Sequence, residues 1–188
     1  MNRSSINRIV FASLASVVAV ALVGSDCFAA DAKQEALKAN IVKFAQSKLG
    51  TKVGERGECT DLVDEAFRLL GAQPSFHRNT FISVDGKPSQ VPSYGWGVRV
   101  APLYSKAPTK PFIPPVGSIV QFEKVVIVTS KGTQNIPHHT VIVESVNGTL
   151  VNVLHQNSGG IRLVQRKTYD FAGLQKGGGY TVWYPLPK

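Results

Sequence analysis

The apolar positions change period once along the chain. Over residues 31–49, Ala36, Leu37, Ile41, Val42, Phe44, Ala45 and Leu49 recur at helical spacing, and Gly50 stops the run. Residues 59–70 repeat the pattern with Leu62, Val63, Ala66, Phe67 and Leu70, and Gly71 stands just past the end. From about residue 116 the signal shortens to β-rich runs at 116–122, 125–129, 139–146, 150–157, 161–164 and 181–184. Asn147-Gly148 between two of these runs predicts a hairpin, and 130–137 reads as a polar loop. Between helices and strands, 72–115 carries eight prolines and predicts loop with short elements. Tyr94 and Trp96 are too apolar for a tail, so they fold onto the body, either as core packing or lining a groove. His77 is expected at the surface. Helices first and strands after give an α+β fold.

The start of the chain alters this picture. Arg3 and Arg8 precede an apolar run over 9–24, and small residues follow at Ala29-Ala30. That is the pattern of a secretory signal, shorter than the ~20 residues a membrane span wants. The expected organisation is a signal peptide, 1–30, and a single domain, 31–188, with no stable membrane span once the leader is removed. The expected location is secreted or periplasmic.

Charge and cysteine count follow from that division. The whole chain carries +9 and residues 31–188 carry +8. A basic exported protein is drawn to anionic wall polymer, lipopolysaccharide or membrane surface, and the charge also serves plain solubility. The basic residues are scattered without interleaved aromatics, which argues against nucleic acid. Removing the leader removes Cys27 and leaves Cys59 as the lone cysteine. A lone exported thiol has no disulfide to explain it. At a helix start, unpaired N–H groups and the dipole favour the thiolate. The plainer role is a small apolar group filling a gap.

A thiol nucleophile needs a base and a group to orient that base. The histidines are His77, His138, His139 and His155, and three of them flank one hairpin. No CxxC or HxxxH spacing supports a metal, and no cofactor is expected.

Gly57-Glu58-Cys59-Thr60-Asp61-Leu62-Val63 is similar to the cysteine motif of CHAP amidase/peptidase domains. Pro115-Val116-Gly117-Ser118-Ile119-Val120-Gln121-Phe122 resembles their proline-glycine-aspartate strand opening, with Val116 inserted and Ser118 in place of the acid. His139-Thr140-Val141-Ile142-Val143 resembles their histidine strand, and Val153-Leu154-His155-Gln156-Asn157 their Leu-Glu-Gln-Asn segment. The pieces keep the family's order. The resemblance implies a papain-like fold of the CHAP and NlpC type, with helices packed on an antiparallel sheet. It implies hydrolysis of amide or peptide bonds in peptidoglycan or a related wall peptide. Carried over, Cys59 is the nucleophile, His139 the base, His155 the orienter and Asn157 a nearby amide. Two departures stand out: His138 replaces the glycine before the histidine, and His155 replaces an acid.

Strand alternation leaves two registers open. A two-residue Asn147-Gly148 turn puts His138 on the face of His155 and Asn157. A three-residue loop puts His139 there, together with Val141, Val143, Val151 and Val153, and the apolar pattern favours it. The expected mechanism is attack by Cys59 with His139 moving the proton and the Cys59 N–H holding the oxyanion. A transglutaminase-like transfer differs only in acceptor. The rival reading is a non-catalytic module on the same fold that binds wall or surface polymer.

Overall fold

The computed structural model describes residues 31–74, 76–78, 81–83, 88–89, 93–100, 111–130, 132–174 and 179–188. The leader expected at 1–30 and parts of the proline-rich stretch lie outside the described residues. Among the described residues no helix is long and apolar enough to cross a membrane.

Helix α1 runs through 31–47 and α2 through Cys59–Leu70. Short strands follow: β1 (Phe76–Arg78), β2 (Phe81–Ser83), β3 (Pro88–Ser89), β4 (Ser93–Gly95) and β5 (Val98–Arg99). The main strands are β6 (Ile119–Thr129), β7 (Gly132–Asn147), β8 (Leu150–His155), β9 (Gln165–Asp170) and β10 (Gly179–Tyr184). The large sheet has the order β3-β2-β10-β6-β7-β8-β9, with β5 also pairing β10. Its pairings are antiparallel. Strands β1 and β4 form a separate pair in which His77 stands opposite Tyr94. The fold is α+β.

The sheet buries both faces, each against a different core. One face carries Ile119, Ile142, Leu154 and Trp183, which pack with Leu37, Ile41 and Ala45 of α1 and Leu62, Val63, Ala66 and Phe67 of α2. The other carries Val120, Phe122, Val141, Val143, Val151, Val153, Tyr169 and Val182. Sheets covered on both faces lose the apolar-polar alternation, and β6 and β7 show this as runs rather than alternation. Trp96 joins the helix-side core, fully buried, with its ring edge-on to Phe67 and stacked on Tyr94. Core packing therefore accounts for Trp96.

Three strand expectations need correcting. The runs at 116–122 and 125–129 belong to one strand, β6, which turns through Lys124 at φ 49 instead of breaking. Residues 132–137 are strand and not loop, because β7 extends back to pair Thr129 with Gly132. The strand after β8 is Gln165–Asp170 rather than 161–164. Only Tyr169 on it is deeply buried, so a polar edge strand gives little apolar signal.

The hairpin turn also differs. Asn147 pairs with Leu150, so the turn residues are Gly148 and Thr149. A bulge between Val143 and Ser145 then shifts the register by one and pairs Val141 with His155. Turn and bulge together reach the register that the buried face demands.

Glycine is required where α1 meets the opening of β6. Gly117 has φ 77, and a Cβ there would stand 2.6 Å from the Cβ of Lys38. The close approach lets the Lys38 stem lie buried with its ammonium 4.0 Å from the centre of the Tyr184 ring.

Candidate active site

The site is built around the first turn of α2. Glu58 is the N-cap, so Cys59 is the first helical residue. Glu58 accepts from the Asp61 N–H, and Asp61 accepts from the Glu58 N–H at 3.1 Å, which closes a capping box. At the far end Gly71 adopts φ 69 and closes the helix.

Behind the cysteine, Gln156 clamps the preceding loop. Its Oε1 accepts from the Val53 N–H at 2.7 Å, and its Nε2 donates to the carbonyls of Val53 at 2.9 Å and Glu58 at 3.1 Å. Asn157, in the left-handed region at φ 58, donates to Oε2 of Glu58 at 2.6 Å. Both residues, just past the end of β8, therefore hold the approach to Cys59. Neither orients a histidine, so Asn157 is a support for the helix cap.

Cys59 is buried, 9% exposed, and its Sγ lies 3.9 Å from Oγ1 of Thr140 on β7. Thr140 gives its own proton to Oε1 of Gln121 at 2.6 Å. The hydroxyl thus has a lone pair to accept from the thiol. Burial pushes the Cys59 thiol up from its ordinary value; a backbone hydrogen bond at Thr140 opposes this and the Glu58 carboxylate adds to it. The expectation of a resting thiolate is corrected: desolvation outweighs the helix start, and two capping carboxylates already occupy its positive end.

The histidines divide between the two faces. Successive residues of a strand point to opposite sides, and Thr140 faces Cys59. His139 therefore faces the other way, opposite Phe122 and within the second core. It meets His155 there: His139 Nε2 and His155 Nδ1 are 2.9 Å apart, with the rings edge to face at 5.0 Å. The pair forms as the favoured register implies, but the sheet lies between it and Cys59. The expected Cys59–His139–His155 contact is not made, because the face richer in valines is the one turned away from the helices. Burial depresses both imidazoles, with like charge adding: His139 falls to about 3 and His155 to about 4. His155 and Lys167 add to the shift of His139, and Lys167 to that of His155.

His138 shares the face of Thr140. It is opposite Glu123 in the β6–β7 register, with its Nε2 3.7 Å from Oε2 of Glu123 and 3.3 Å from Nε2 of Gln121. Its ring is 6.4 Å from that of Tyr94, and 42% of its side chain is open to solvent. The left-handed Lys124, beside Glu123, and Pro137, which has no N–H to donate, mark the irregular point of the ladder next to this pair. Gln121 carried no signal in the sequence beyond membership of the 116–122 run, and Glu123 fell between that run and the next. Among the described residues no group of three or more His, Cys, Asp or Glu is placed to hold a metal.

The chain is similar to the crystal structure of Ly7917 at 24% identity, over 78% of this chain and 62% of that one, with a TM-score of 0.47. It is similar to Ly7917 with the hydrolyzing product of MDP at 23% identity, over 79% and 62%, with a TM-score of 0.47. The chain thus spans about three-fifths of the length of those structures. No curated protein matches it. A helix-borne cysteine set against an antiparallel sheet fits the family whose model matches residues 31–188: the chain belongs to the AIM3/BBC1 cysteine proteinase-fold domain family.

Proposed function

We propose that the chain is an exported cysteine hydrolase of the CHAP and NlpC kind, cleaving amide bonds in a cell-wall peptide. Cys59 is the nucleophile, His138 the base and Glu123 the acid that supports it. The observation that carries this reading is the shared face. Sγ of Cys59 touches Thr140, and the strand neighbour two residues before Thr140 is an accessible imidazole beside a carboxylate.

The chemistry follows from the protonated thiol. Cys59 keeps its proton at rest, so the proton leaves as the sulfur attacks, and His138 receives it. An S–C bond forms, the carbonyl becomes an oxyanion near the Cys59 N–H, and the imidazolium is steadied by Glu123. The oxyanion collapses, the C–N bond breaks, and His138 returns the proton to the leaving amine. Water then attacks the thioester by the same route and frees Cys59.

The test is amine release from purified wall peptide by the mature protein, compared with Cys59→Ala and His138→Ala. Activity lost in both variants supports the reading. Equal, background release by all three proteins overturns it. A second reading has one observation in its favour: the buried thiol is already satisfied by Thr140. A non-catalytic module would bind wall polymer through its basic surface, release no amine from it, and bind it equally well as Cys59→Ala.

A further inference from the structure

Gln121 is fully buried in the sheet, on the face of Cys59. A buried amide is costly unless its donors and acceptor are used. Here its Oε1 accepts from Thr140, and its Nε2 lies 3.3 Å from each of three acceptors: the Phe122 carbonyl, the His139 carbonyl and His138 Nε2. The two backbone carbonyls can only accept, so they fix which end of the amide is nitrogen. The amide has two hydrogens for these three acceptors, but its nitrogen can only donate, so a protonated His138 Nε2 would set one donor against another. That ring atom then presents its lone pair, and the ring proton sits on Nδ1. The oxygen end draws the Thr140 proton, which turns a Thr140 lone pair to the Cys59 thiol.

We infer that Gln121 is a positioning residue that sets the proton arrangement of the site, holding His138 as the Nδ1–H tautomer with Nε2 unprotonated while Thr140 receives the thiol hydrogen. The inference rests on the reading of His138 as base. One buried amide orientation prepares both partners: the base keeps Nε2 unprotonated, and the nucleophile keeps its proton until substrate arrives. Glu123, on the other side of Nε2, has the opposite preference and favours that nitrogen once protonated.

The test is nitrogen-15 NMR of the full mature chain, reading the His138 tautomer from ring long-range correlations near neutral pH. The expected wild-type signature is Nδ1–H. In Gln121→Glu a carboxylate faces Nε2, and the Nδ1–H signature is lost to protonated Nε2. Gln121→Met keeps the volume without the amide, and there too the Nδ1–H preference is lost. Wild type protonated on Nε2 overturns the inference, and this measurement needs no variant to fold. A folded Gln121→Met with an unchanged tautomer also overturns it, since a space-filling residue would give that result. Failure of amine release with the expected tautomer present would count against the hydrolase reading alone.

Discussion

Cys59 and His139 lie on opposite sides of the sheet, although His139 is covalently joined to Thr140, the residue that Cys59 touches. One position along a strand decides the face. His138, the other neighbour in the His138-His139 pair, therefore shares the sheet face of Thr140.

The two histidines should respond differently to truncation. His138→Ala is expected to lower kcat/KM for amide hydrolysis by about 10²–10⁴-fold with little change in Tm, as loss of a general base does. His139→Ala should keep turnover per folded molecule and cost about 1–3 kcal/mol, since it leaves His155 buried without its partner. Steady-state kinetics and thermal melts on both variants check this. The reverse pattern would restore His139 as the base.

The state of the thiol can be read from alkylation rate against pH. The Glu58 carboxylate raises the Cys59 pKa, and a backbone hydrogen bond at Thr140 lowers it. Glu58→Gln should therefore shift the iodoacetamide labelling profile to lower pH. The shift is measured against a wild type whose thiol labels slowly at neutral pH because it is buried and protonated.

Several of these residues were visible in the sequence as types but not as places. The α2 helix was legible from Leu62, Val63, Ala66 and Phe67 and its stop at Gly71, because an amphipathic face and a left-handed glycine are local signals. The His139–His155 pairing was legible because Val141, Val143, Val151 and Val153 must share a buried face. Which of the two sheet faces meets the helices was not, since both faces are apolar and the choice is made by tertiary packing. β9 was missed because Arg166, Lys167 and Asp170 leave no apolar alternation. The thiol was misjudged because helix position is local and desolvation is not.

The histidine pair should make the protein sensitive to mild acid. Both imidazoles are depressed, to about 3 and about 4, against 6.5. Above 6.5 neither state binds these protons, and the pair has its full stability. As pH falls below 6.5 the unfolded chain takes up two protons that the folded chain refuses. Stability then falls with a slope of up to ~2.7 kcal/mol per pH unit, until the folded values are reached. The lowered carboxylates Glu65 and Glu144 act only below their ordinary value of 4.5, so the window from 6.5 to 4.5 isolates the histidines. Urea melts across that window check the slope. His139→Leu with His155→Leu should flatten it, and an unchanged slope would remove the pair as its source.

The loop before the cysteine offers a test of how position reaches chemistry. Gly54 has φ 71, and a Cβ there would stand 2.7 Å from the Cβ and Oδ2 of Asp61. Asp61 is half of the capping box, so Gly54→Ala must displace either the loop or the cap. Gln156→Leu strips three hydrogen bonds from Val53 and Glu58 and leaves buried backbone groups unpaired. Either change should cost about 1–3 kcal/mol by the usual cost of strain or of an unpaired polar group. The added consequence is functional: both changes move the residue that precedes Cys59. A displacement of about 1 Å at a nucleophile costs on the order of 10²-fold in rate. Turnover should therefore fall at temperatures where melts show the variants still folded, with the greater loss in kcat. A loss of Tm with undiminished kcat would mean that the clamp serves the fold and not the placement of the sulfur.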